Sequence, residues 1–320
     1  MMISVLAGGV GAARFLRGLQ QVVDPESVTA VVNTGDDTVM HGLSISPDID
    51  TVTYTLADAI DPERGWGLRA ETWRAMESLD RFAAVRPAGS RSGERWFNLG
   101  DSDLATHFYR TSRLAEDATL AEITDEVRRA FGVRVRIVPM SNDTVSTHVH
   151  LAGGEVVSFQ EYFVKLRHDV AVTGIELRGA ESARFVDDTL LSGAEAVIIA
   201  PSNPIVSIGP LRALAGVDEL LAARRDSVVA VSPIVAGAAL KGPADRMLTE
   251  LGMEPSVVGV ARLYAPVCGT LVIDDQDAHM KEKVEACGVR CVVTDTIMSK
   301  PGVGEGLARV VLDAARNGGG

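Results

Sequence analysis

The chain is poor in cysteine, in aromatic side chains and in positive charge, and it has no long apolar run. Its three cysteines, Cys268, Cys287 and Cys291, make no disulfide framework. Cys287 and Cys291 straddle Gly288 and have no further ligand nearby of the kind zinc needs. They read as reduced thiols, which points to a cytoplasmic protein. Lys and Arg number 31 against 43 Asp and Glu, a formal net charge of −12. That balance argues against nucleic acid and an anionic membrane surface as partners, since both call for clustered basic side chains. A small anionic ligand stays open, because a nest of backbone N–H groups holds phosphate even in an acidic protein. No run of about 18 apolar residues exists, so no membrane-spanning helix is expected. Ile3–Ala7 is too short for a signal peptide, lacks a preceding basic segment and runs into glycines.

What is present is ordinary for a globular protein: 46% hydrophobic and 23% charged residues over 320 positions. That length buries one large core or two modest ones. Met2–Ala7 and Val28–Val32 read as buried strands, with helical spacing over Gly11–Val22 between them. This β-loop-α-β opening predicts a parallel sheet. A helix is expected from Thr51 to Ile60, and mostly helices over 61–132. Strands at Thr147–Leu151 and Glu155–Phe159 flank Gly153-Gly154, a hairpin signal. The β/α rhythm resumes with strands at Ala196–Ala200, Ser227–Val231, Thr270–Ile273 and Val289–Thr294. The expected fold is α/β. Residues 1–60 and 195–317 form a Rossmann-like parallel-sheet core, and residues 61–194 form an inserted helical and antiparallel cap.

Candidate chemistry gathers at strand ends, where open α/β sheets bind ligands. Gly8, Gly9 and Gly11 follow the first strand and open a helix. They resemble the dinucleotide fingerprint, but Arg14 stands where the third glycine belongs, and the second strand ends in Asn33 rather than an acid. NAD is therefore disfavoured. Phosphate on the backbone N–H groups, with Arg14 adding a cation, remains, as does a tight turn without ligand. Asp36, Asp37, Asp48 and Asp50 crowd a short acidic span that suits Mg²⁺. Asp48 and Asp50 alternate in an apparently extended Ser46-Pro-Asp-Ile-Asp-Thr51 and so face one way, although Asp50 is also placed to cap the next helix. Asp101 or Ser102 is a natural helix cap, and His107 is a general-base candidate or a packed polar side chain. His148 and His150 share a strand face but lack a third metal ligand. In Ala200–Pro210 the prolines extend the backbone and free Ser202 and Asn203 for polar contacts with a nucleotide, with Ser207 at a helix start. Lys241, after the next strand, suits a phosphate or is a solvated loop lysine.

Taken in order, these segments resemble the 2-phospho-L-lactate transferase family, which includes actinobacterial phosphoenolpyruvyl transferases. The resemblance runs through Gly8-Gly-x-Gly11, Asn33-x-x-x-Asp37, Ser46-Pro-Asp-Ile-Asp-Thr51, Gly65-Trp-Gly67, Leu99-Gly-Asp-x-Asp-x-Ala-Thr-His107, Pro139-Met-Ser141, Phe159-Gln160, Ala200–Pro210 and Ser232-Pro-Ile234. It implies a step of coenzyme F-420 biosynthesis. The ribityl hydroxyl of 7,8-didemethyl-8-hydroxy-5-deazariboflavin (Fo) attacks a guanosine diphosphate-linked lactyl or enolpyruvyl donor, GMP leaves, and Mg²⁺ is required. The resemblance also implies that Asp50 contacts Fo. Asn98 takes the place of a Lys that makes a second Fo contact in archaeal members. Asp48 and Asp50 are then the catalytic candidates. Gly8, Gly9, Gly11, Asn33, Asn98, Ser202, Asn203 and Ser207 are the binding candidates, and Asp36, Asp37, Asp48 and Asp50 the metal candidates. A homodimer is expected from the family. A related family of bacterial gluconeogenesis factors shares the fold and implies nucleotide-sugar binding without turnover.

Overall fold

Seven short apolar segments build the centre. In the computed structural model, which describes residues 2–318, they are β1 (Ile3–Ala7), β2 (Val28–Val32), β3 (Arg136–Pro139), β4 (Ala196–Ile199), β5 (Val228–Val231), β6 (Thr270–Ile273) and β7 (Arg290–Val293). They form one sheet in the order β7-β6-β5-β4-β1-β2-β3, and every pairing is parallel. Strands buried on both faces need near-continuous apolar runs, and β1, β2, β4, β5 and β6 are buried at every position. Their side chains alternate between two cores. Leu6, Val31 and Ile199 feed one, while Val5, Ala30 and Ile198 feed the other.

Helix α1 (Val10–Leu19) follows β1 and packs beside α2 (Pro47–Leu56) and the last helix, Val303–Gly318. Phe15, Leu16 and Leu19 of α1 join Ile49 and Val52 of α2 and Leu307 and Val311 of the last helix in the core on that face. The opposite core takes Val217 and Leu221 from Val217–Ala223, and Val257, Val260 and Ala261 from Val257–Tyr264. The expected α/β, Rossmann-like architecture is present.

The boundary expected for the cap is cut by one strand. β3 lies in the middle of 61–194, yet it pairs with β2 at the sheet edge. The antiparallel part is a separate three-stranded sheet of Ser146–Leu151, Val156–Ser158 and Val172–Arg178. Its hairpin turns at Gly154, which adopts the left-handed φ of +84° that its sequence signals. Gly209–Arg212 and Val217–Ala223 are two short helices parted at Gly216, and Val257–Tyr264 is a further helix.

The sheet order fixes where a ligand can sit. From β1 the chain steps to β2 and β3 on one side, and from β4 to β5, β6 and β7 on the other. The order reverses between β1 and β4, and the crevice beyond their carboxyl ends is the switch point of the sheet.

Candidate functional site

Three loops meet at that crevice. Gly8 follows β1, and its N–H donates to Ser202 Oγ at 3.1 Å across the switch point. The glycines there are required by close approach. A Cβ on Gly11 would lie 2.0 Å from the Pro201 carbonyl oxygen, and one on Gly9 would lie 2.6 Å from an Asp48 carboxylate oxygen. The first turn of α1 is therefore pressed between the β4 loop and the start of α2. Ser207 also borders this turn, against Gly8. The helix after Ser207 is the single turn Gly209–Arg212, so it offers little dipole to an anion.

Asn33, at the end of β2, ties the loops together. Its Nδ2 donates to Asp48 Oδ2 at 3.0 Å and to the Val206 carbonyl at 3.4 Å, and its Oδ1 accepts from the Gly35 N–H at 2.9 Å. The chain then makes a hairpin of Thr38–Met40 and Leu43–Ile45, turning at His41 and Gly42, both with positive φ. Pairing Thr38 with Ile45 brings the flanking residues together, and the Ser46 hydroxyl donates to Asp37 Oδ2 at 2.7 Å.

Ser46-Pro-Asp-Ile-Asp-Thr51 is not extended. Pro47 opens α2 at the position where a missing N–H and a fixed φ favour a helix. Asp48 and Asp50 therefore diverge around the helix by about 200° instead of facing one way. Asp50 is not the cap of α2 either, since it lies in the first turn after Ser46.

On one side, Asp48 turns to the glycine loop and joins Asp36 and Asp37. Burial and then the charge of Asp48 push the Asp36 carboxyl well above the ordinary carboxylate range. Burial lifts Asp37 to about 8, although Ser46 and Arg110 oppose it. Burial lifts Asp48 to about 6. One oxygen each of Asp36 and Asp37 is buried without any hydrogen-bond partner. Among the described residues no three Asp, Glu, His or Cys side chains converge as a ready metal cage. The four aspartates expected to share a metal thus do not form one protein site. The charge imbalance and the orphaned oxygens nevertheless fit Mg²⁺, which takes one or two carboxylates and completes its shell with water and substrate phosphate.

On the other side, Asp50 is 5% exposed and both its oxygens meet the guanidinium of Arg110, which is 2% exposed. Asp50 is therefore withdrawn from the metal set, because a guanidinium already neutralises it. Arg110 lies on the helix Asp103–Ala115 with His107 and Asp103 on the same face. His107 Nδ1 sits 3.3 Å from Arg110 Nη1, and its Nε2 sits 3.5 Å from Asp103. The Tyr54 hydroxyl donates to Asp103 at 2.6 Å. Burial alone would raise Asp103, but His107, Tyr54 and Arg110 hold its carboxyl below the ordinary value. His107 is thus buried within this group, its Nε2 facing Asp103 without a hydrogen bond. The helix is positioned by exchanged caps. Asp101 accepts from the backbone N–H groups of Arg74 and Ala75, and Glu71 accepts from those of Ser102 and Asp103.

Other expectations move as well. The Asn203 amide oxygen accepts from the N–H groups of Ile205 and Val206 and so shapes its own loop, while its Nδ2 meets only Met247 Sδ, at 3.7 Å. Asn98 is exposed and has no hydrogen bond to a site residue. His148 and His150 do share a face, but they pair with Ser146 and Glu176 rather than a metal set. Arg14 and Lys241 stay near the glycine loop, and neither has an acidic partner among the described residues. Burial and then Arg17 lower Arg14, and burial and then Arg14 lower Lys241. The sequence reading missed Arg110 and Asp103. Their signal was a polar stripe, Asp103, His107 and Arg110, at helical spacing.

Comparison with known proteins places the chain in a family. The family 2-phospho-L-lactate transferase CofD matches residues 3–305. The chain belongs to this family. Its relatives include a phosphoenolpyruvate transferase of Streptomyces griseus subsp. griseus, 40% identical over 98% of both chains. Another, from Nocardia farcinica, is 38% identical over 98% of this chain and 94% of its own. A third, from Mycobacterium tuberculosis, is 35% identical over 98% of this chain and 99% of its own. Membership of the CofD family makes the chain a transferase of coenzyme F-420 biosynthesis. The fold is also that of a UPF0052-family protein from Bacillus halodurans. That crystal structure superposes with a TM-score of 0.59 at 14% identity, over 97% of this chain and 98% of the other. None of the helices among the described residues is long and apolar enough to cross a membrane.

Proposed function

We propose that this chain transfers the 2-phospholactyl or enolpyruvyl phosphate group of a guanosine diphosphate-linked donor to the terminal ribityl hydroxyl of Fo, releasing GMP. The observation that carries the reading is the charge pattern around one glycine loop. Asp36, Asp37 and Asp48 lack a counter-ion apart from the distant pull of Arg110, and Arg14 and Lys241 lack an acid. A phosphoanhydride with a bound divalent cation satisfies both sets at once.

Phosphoryl transfer asks the protein mostly for positioning and for charge neutralisation. Mg²⁺, when bound, supplies charge that offsets the phosphate oxygens, and Asp36 and Asp48, both held beside Asn33, are the residues to hold it. The backbone N–H groups at the start of α1, with Arg14 and Lys241, take the diphosphate. The ribityl oxygen forms its bond to the phosphorus carrying the lactyl or enolpyruvyl group, and the anhydride bond to GMP breaks. The hydroxyl proton passes to the carboxylate group beside it. Asp50, locked by Arg110, fixes the first turn of α2 and faces the Fo side. Direct attack by the acceptor hydroxyl also fits a site without a nucleophile–base pair among the described residues.

Incubation with Fo, Mg²⁺ and each donor, followed by mass spectrometry, tests this. The expected result is a phosphodiester of Fo together with GMP, and the preferred donor names the natural one. Nucleotide binding without turnover of either donor would instead make the protein a regulator of the gluconeogenesis-factor kind. Gel filtration with light scattering tests the expected homodimer.

A further inference from the structure

One exposed tryptophan stands next to the unpaired bases. Trp66 is 42% exposed and sits between Gly65 and Gly67, with φ of +74° and +68°. Its loop is closed by its own hydrogen bonds. Gly65 N–H donates to the Asp61 carbonyl at 2.9 Å, Asp61 N–H donates to the Gly67 carbonyl at 3.0 Å, and the Asp61 carboxylate accepts from the N–H groups of Glu63 and Arg64. The indole is braced from behind. The Arg64 guanidinium lies 5.5 Å from the Trp66 ring and 5.2 Å from that of Trp73, and the two rings are 6.0 Å apart. The loop meets the site through Lys241, whose Nζ is 2.7 Å from where a Cβ on Gly65 would stand. Lys241 in turn feels the charge of Arg14.

A single exposed apolar side chain is ordinary, and Phe82 and Val85 are more exposed than Trp66. Trp66 differs in three ways. Its loop is closed by its own hydrogen bonds, its ring is braced by a cation, and it is one residue from a glycine that an unpartnered ammonium approaches. Another pocket, lined by Trp96, Arg91 and Arg178, lacks this last feature, because Arg91 pairs with Glu94 and Glu161 and Arg178 with Glu176.

We propose that Trp66 is the stacking platform for the base of a nucleoside diphosphate whose phosphates lie on Lys241 and Arg14. The inference rests on the reading of those two cations as the diphosphate site. It also moves the base away from the Pro201–Pro210 loop, whose Asn203 oxygen is already used. A base and its diphosphate are joined through one ribose, and Trp66 follows directly on the glycine that Lys241 Nζ approaches. Stacking is tolerant of which base is bound, so Trp66 supplies affinity and not the choice of guanine.

The test uses GDP and inorganic pyrophosphate as probes, titrated by calorimetry into the wild type and into Trp66→Ala, Trp66→Phe and Lys241→Ala, with folding checked by circular dichroism. Trp66→Ala is expected to weaken GDP by roughly tenfold, the scale of one base–aromatic stack, and to leave pyrophosphate unchanged. Trp66→Phe restores most of the loss. Lys241→Ala weakens both probes. If Trp66→Ala leaves GDP untouched while Lys241→Ala weakens both, the platform is wrong and the diphosphate site stands. If Lys241→Ala affects neither probe, the diphosphate site itself is wrong and the platform falls with it. Loss of Fo binding in Trp66→Ala with GDP unchanged would give the ring to the acceptor and overturn the proposal.

Discussion

Two groups of charge lie on either side of α2, and they are built by opposite rules. Asp50 faces Arg110, with His107, Asp103 and Tyr54 closing the group, and each charge there has a partner. Asp36, Asp37 and Asp48 have raised pKa values, Asp48 lies against the glycine loop, and one oxygen each of Asp36 and Asp37 is orphaned, with only a lesser pull of Arg110 on Asp37. Residues two apart on one helix turn thus serve different ends. A closed group fixes geometry, since breaking a buried pair strands a charge in a low-dielectric place. An open group stores unfavourable charge that a ligand relieves. On the proposed function, the contrast would give Asp48 to the chemistry and Asp50 to the scaffold.

Breaking the closed group gives the largest expected effect. Arg110→Met leaves Asp50 buried without its counter-ion, and a cost of about 3–5 kcal/mol in unfolding free energy is expected. Urea melts measure it, and a change under about 1 kcal/mol would mean that the pair is not the brace described. Breaking the open group has the reverse signature. Asp48→Asn is expected to leave urea stability unchanged or higher and to cut turnover by roughly 10²–10³. A stable mutant with wild-type turnover would remove Asp48 from the site.

The contrast sharpens with pH. Folding raises the open carboxyls, Asp37 from 3.8 to about 8 and Asp48 from 3.8 to about 6. The folded state therefore holds protons that the unfolded state releases, so stability in the absence of metal is fullest below pH 4 for these groups and declines as pH rises toward 8. Melting curves between pH 5 and pH 8 in EDTA check the sign, and Asp48→Asn is expected to flatten the slope around pH 6. The smallest effect belongs to Asn203. Because its amide oxygen shapes the loop from within, Asn203→Ala is expected to weaken GDP by only about 0.5–1.5 kcal/mol. A larger loss, with the loop intact by hydrogen exchange, would restore a direct contact.

Much of this was legible from sequence because it is local. Continuous apolar runs gave the parallel strands, and the residues after β1, β2 and β4 gave the crevice. The alternation of Asp48 and Asp50 points to extension, whereas Pro47 opens the helix in the structure. The cue at Pro47 is weak on its own, and the hairpin that delivers Ser46 to Asp37 has strands of only three residues. Arg110 shows locally only as part of a polar stripe with Asp103 and His107, and nothing local says that Asp50, 60 residues away in the chain, folds against it. The cap boundary failed for a similar reason, since β3 joins β2 by a tertiary pairing.

The most direct measurement is transfer from the guanosine diphosphate-linked enolpyruvyl or lactyl donor to Fo, followed by mass spectrometry with Mg²⁺ and again in excess EDTA. The account expects the Fo phosphodiester and GMP with Mg²⁺, and loss of both products in EDTA that added Mg²⁺ reverses. Equal product in EDTA from metal-free protein would contradict the assignment of Asp36 and Asp48 to a cation, and no product from either donor under any condition would contradict the function itself.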